Sequence, residues 1–119
     1  MKKLSAIVAL FSVVLLATPA QAGSYACTGT VTFLGVDSFD YGLIVVGGPG
    51  GLPPIGLCAL NQAGNFTMDA CKAIYATLLA AKMSGQTVEI TFADGLTCST
   101  QPAWGSAGST SAWFVATQQ

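Results

Sequence analysis

The run from Thr67 to Phe92 narrows the architecture more than any other part of this 119-residue chain. Thr67-Met68-Asp69-Ala70-Cys71 opens a helix, Ser84-Gly85-Gln86 breaks it, and Thr87-Val88-Glu89-Ile90-Thr91-Phe92 follows as a strand. No other stretch has room for a long helix, and the remaining structured segments are short and strand-like. Thr67 or Asn65 suits the cap position. Asp69 meets the positive end of the helix dipole, and Gly85 stands where a C-cap is needed. Helical spacing sets Cys71, Ile74, Tyr75, Leu78 and Met83 toward a core. The opposite side, Asp69, Ala73, Ala76, Thr77, Ala80 and Ser84, is small-chained.

The strands around this unit read from period-two patterns. Cys27 to Phe33 alternates, with 27, 29, 31 and 33 on one side and threonines on the other, as in one half-buried strand. Gly35 to Asp40 is turn-like, with Asp37, Ser38 and Asp40 as local capping residues. Tyr41 to Val46 is apolar nearly throughout, a strand covered on both faces. Gly47 to Gly51 is a loop without the Lys and Ser/Thr spacing of a phosphate cradle. Pro54 to Leu60 is a third strand with its proline at the start. Val88, Ile90 and Phe92 point inward on the strand after the helix. Leu96 to Thr110 is a long Gly/Ser/Thr-rich loop, and Ala112 to Thr117 is the last strand.

Residues 1–22 read as a secretory signal peptide: Lys2 and Lys3, an apolar run from Leu4 to Leu16, then Ala20-Gln21-Ala22. That run is shorter than the about 20 residues a bilayer span needs. A single domain over 23–119, secreted or periplasmic, is therefore expected. It retains two lysines, Lys72 and Lys82, against five carboxylates, a formal charge of −3, and has no Arg or His. That balance argues against nucleic acid, whose phosphates demand cations, and against anionic membrane surfaces. Four cysteines in an exported chain this small imply two disulfides. A metal site finds neither a CxxC pair nor a histidine.

The element order is β-β-β-α-β-β: mostly β with one helix, the order of a five-stranded OB-type barrel whose helix plugs one end. A small open α+β sheet is the competing arrangement. In the barrel, Cys58 lies beside Cys71 and fixes the helix, while Cys27 on the first strand meets Cys98 in the loop after the fourth. Other pairings demand longer reaches.

Without His, Ser-His-Asp and Cys-His arrangements cannot be built. Asp37 and Asp40 read as solvated turn residues rather than a glycosidase pair. The expectation is a non-enzyme with no cofactor. OB barrels bind oligonucleotides or oligosaccharides on the face of strands two and three and in the loops after strands one and four. Charge leaves sugars or proteins. In the loop after the fourth strand, Trp104 is flanked by Ser99, Thr100, Gln101 and Ser106. An aromatic plate with short polar neighbours suits a sugar. The alternative is that Trp104 folds back as a lid on the barrel end, in a monomeric secreted or envelope protein that acts through protein contact.

Cys71-Lys72-Ala73-Ile74-Tyr75-Ala76-Thr77-Leu78-Leu79, with Ser84-Gly85-Gln86-Thr87-Val88-Glu89-Ile90-Thr91-Phe92, resembles the helix-to-strand segment of bacterial AB5-toxin B subunits, the subtilase-cytotoxin type in particular. The resemblance implies an exported, disulfide-bonded OB fold forming a homopentameric ring. Such a ring binds host glycans, carries a catalytic A subunit and lines its pore with helices. It transfers no glycan-contact residue to this sequence.

Overall fold

The computed structural model describes residues 23–105 and 110–118. The expected leader lies outside them. Six strands and one long helix follow in the order β1 (Tyr25–Thr30), β2 (Phe33–Asp37), β3 (Leu43–Gly47), β4 (Ile55–Ala59), α1 (Met68–Ser84), β5 (Thr87–Phe92) and β6 (Ala112–Gln118). They form two antiparallel three-stranded sheets, ordered β1-β5-β6 and β2-β3-β4. The fold is thus mostly β with one helix, but its strands number six in two sheets where five in one barrel were expected.

The extra strand comes from a break in the first. Cys27 to Phe33 alternates without interruption in sequence, yet its two ends pair in different sheets: Cys27 sits opposite Ile90, and Phe33 opposite Gly47. Between them, the Thr32 N–H donates to the Gly47 carbonyl at 3.0 Å. Gly48, at φ 117°, backs against Thr30 and Thr32 so closely that a Cβ there would overlap their atoms. The bend shifts the inward phase by one residue, and such a slip moves every later side chain to the other face. Cys27 and Val31 are buried, Leu34 packs on the core, and Phe33, expected inward, is exposed. Gly35 to Asp37, read as a turn, belongs to β2; the turn proper is Ser38–Gly42.

One core joins both sheets and the helix. Ile44, Val46 and Leu57 meet Val88, Ile90, Phe92 and Leu78 in a continuous buried cluster. α1 contacts β2 and β4 of one sheet and β5 and β6 of the other. It begins at Thr67, whose hydroxyl accepts from the Ala70 N–H at 3.1 Å, and ends at Gly85 in the left-handed conformation. Cys71 and Leu78 are buried as expected, with Ile74 and Tyr75 packed alongside. Met83 is not in the core; it is 81% exposed. At about 100° per residue it lies roughly 120° around the helix from Cys71, and Ala81 fills the inward position instead.

Two disulfides, Cys27–Cys98 and Cys58–Cys71, each with Cα atoms 5.7 Å apart, pair the cysteines as the strand order suggested. The second ties β4 to the first turn of α1. The first ties β1 to the loop between β5 and β6. Among the described residues, no helix is long and apolar enough to cross a membrane.

Candidate functional site

The bend that turns Phe33 outward also opens a groove. Phe33, Gly35 and Asp37 share the outer face of β2 with Val45 of β3, which pairs with Gly35. Across this face lies the chain at Trp104 and Gly105. The Trp104 N–H donates to the Pro54 carbonyl at 2.8 Å. The Gly105 carbonyl rests on Gly56 of β4, where a side chain would overlap it. Trp104 adopts φ 59°, uncommon for a residue with a Cβ, and that turn sets its ring over β2.

The result is an open groove of about 360 Å³. One wall is a corner of two aromatic rings, Phe33 and Trp104, with centroids 5.5 Å apart and planes at 82°. Val45 lies at its floor, buried beneath. The far end is formed by Val36, Asp37, Ser38 and Phe39. The Asp37 carboxylate accepts from the Phe39 N–H at 2.9 Å, which orients the carboxylate and the turn together. Trp104 remains 61% exposed and Phe39 99%. A lid would have been buried; Trp104 is a wall.

The other expected site residues go elsewhere. Ser99 and Thr100 belong to a short 3-10 turn at Cys98–Thr100, where the Thr97 N–H donates to Thr100 Oγ1 at 2.8 Å. Gln101 is 6% exposed and committed to an internal cluster. Its amide donates to Asp94 Oδ2 at 2.8 Å and to the Tyr25 hydroxyl, which donates in turn to Asp94 Oδ1 at 2.6 Å. Ser111 also donates to Asp94, as does the Leu96 N–H at 2.8 Å. Burial alone would push the Asp94 carboxyl up. The hydrogen bonds from Ser111, Tyr25, Gln101 and Leu96 outweigh it and hold the group at about 2. Burial, reinforced by the bond to Asp94, raises the Tyr25 phenol. Ser106 lies outside the described residues. Of the five expected residues, Trp104 alone lines the groove as described.

Asp37, Ser38, Phe39 and Phe33 were not picked out from sequence as site residues. Phe39 carried a usable signal, because a phenylalanine amid Asp37, Ser38 and Asp40 contributes nothing to a solvated turn. Among the described residues, no three of His, Cys, Asp and Glu come together to hold a metal ion. The arrangement can stack a flat apolar surface on the aromatic corner and hydrogen-bond its polar rim. No family model, no curated protein and no solved structure matches this chain.

Proposed function

We propose that this chain is an exported, non-catalytic binding module that holds a carbohydrate in the Phe33–Trp104 groove. The observation that carries the reading is Trp104 itself. A pinned backbone and a left-handed turn hold a large aromatic side chain in solvent, at the opposite end of a groove from a carboxylate and a hydroxyl. Sugar rings offer an apolar face to such a plate and hydroxyls to such a rim. The groove lining carries one carboxylate, Asp37, and bond cleavage by a carboxylate pair would need two. Two disulfides agree with an oxidising compartment and hence with export through residues 1–22.

In this reading the two sheets are halves of one OB-type barrel whose long first strand is β1 and β2 together. Its support is that only Val31 and Thr32 separate them, and that β1 pairs with β5 while β2 pairs with β3. The groove then falls on the face and loops that OB barrels use for ligands. A homopentameric ring with an A subunit is the extended form of the proposal. The outward face of α1, with Ala73, Ala76 and Ala80 exposed, would admit close helix neighbours; light scattering on the oxidised chain checks it, a mass near one protomer removing the ring.

The test of the binding reading is a glycan array followed by calorimetry on wild type and Trp104→Ala. The expected result is loss of binding with cooperative unfolding retained. Unchanged binding by the variant, or an array without a hit, overturns it. One observation favours a second reading, a monomer acting through protein contact: Phe39 projects from its turn as interface anchors do.

A further inference from the structure

We propose that the groove selects cationic amino sugars, a glucosamine-type unit lying with its ring on Trp104 and its ammonium against Asp37. This rests on the carbohydrate reading and adds the sign of the ligand's charge. Asp37 is the one charged residue lining the groove. Its carboxylate is already oriented by the Phe39 N–H, so an incoming cation meets a fixed acceptor.

Neither lysine of the described chain lines the groove. Lys72 lies 4.0 Å from Asp69 on α1, and Lys82 donates to the Thr32 carbonyl at 3.2 Å. A uronic or sialic acid would therefore bring its carboxylate to Asp37 with no lysine among the lining residues, and like charges in contact are strongly disfavoured. An ammonium instead forms a charge-assisted hydrogen bond with the carboxylate. The domain's net negative charge draws such a ligand in from a distance. The aromatic corner argues for a ring-shaped ligand over a flexible alkyl amine, since a flat plate rewards a flat apolar face.

The experiment is calorimetry on the oxidised protein at mildly acidic pH, where the ligand amines are protonated. The probes are three β-1,4-linked hexamers, of glucosamine, N-acetylglucosamine and glucose. The glucosamine hexamer is expected to bind at least about ten-fold more tightly than either neutral one. Asp37→Asn should erase that preference, bringing the glucosamine hexamer to the affinity of the neutral ones; asparagine can still accept from the Phe39 N–H, so the turn is kept. Trp104→Ala should weaken all three. Equal affinities, or a preference that survives Asp37→Asn, overturn the charge selectivity and leave the carbohydrate reading standing. No Trp104-dependent binding of any of the three overturns this inference, while the carbohydrate reading itself stands or falls on the array.

Discussion

Replacing Gly56 by alanine should dislodge the groove wall without touching any residue that lines it. A methyl group there would overlap the Gly105 carbonyl oxygen and press Leu43 Cδ2 at 3.0 Å. Gly56 lies inside β4, paired with Val45 of β3, so the chain at Trp104–Gly105 must lift instead. Lifting removes the Trp104 N–H bond to Pro54, about 1 kcal/mol, and the Phe33–Trp104 ring contact, about 1 kcal/mol. Alanine returns about 0.4–1 kcal/mol by restricting the unfolded chain. The net expectation is destabilisation of about 1–2 kcal/mol, which lowers Tm by about 5–15 °C in a domain of this size. Thermal unfolding followed by circular dichroism measures it. Amide exchange supplies the local readout, because the Trp104 N–H should lose its protection while β3 amides keep theirs. Gly95→Ala is the control, since nothing lies within 4 Å of a Cβ at that position. An unchanged Tm with a protected Trp104 amide in Gly56→Ala would refute the argument that the loop is seated by contact with β4.

Asp94 has its carboxyl lowered from 3.8 to about 2, so its stabilising effect is complete above about pH 4 and disappears as the pH falls through about 2. Asp94→Asn should cost about 1–2 kcal/mol at neutral pH, a figure reduced for partial exposure, and should flatten the acid limb of the stability–pH curve measured by urea unfolding. The disulfides should differ: Cys27–Cys98 spans 71 residues and Cys58–Cys71 spans 13. Loop closure then makes the paired Cys27→Ala/Cys98→Ala variant the less stable by about 1.5 kcal/mol, and the reverse order in urea midpoints would contradict this.

The helix, its caps, the strand after it and both cysteine pairings were legible because each is decided by nearby residues or by element order. Thr67 and Gly85 are local signals, and Val88, Ile90 and Phe92 alternate with no competing force. The break after Val31 was not legible. The alternation from Cys27 to Phe33 is continuous, and what bends it is Gly48, seventeen residues beyond Val31 in sequence and in contact only after folding. Trp104 was legible as a loop aromatic, but its neighbours were sought along its own loop. They came from β2, because the bend had reversed which side chains of that strand face outward. Gln101 had the composition of a binding residue, yet Asp94 and Tyr25 lie where its amide is needed internally. Sequence distance conceals such competition.

The loop carrying Trp104 is fastened to β1 by the Cys27–Cys98 bond, to the chain on either side by the Asp94 cluster, and to the lead-in of β4 at Pro54. Four cysteines can be oxidised in three pairings, and only one of them brings all these anchors together. In a mis-oxidised isomer, Trp104 and Phe33 would belong to unrelated segments. The groove is therefore a record of correct oxidative folding. Molecules oxidised with exchanged partners would carry the same mass and the same composition but no aromatic corner.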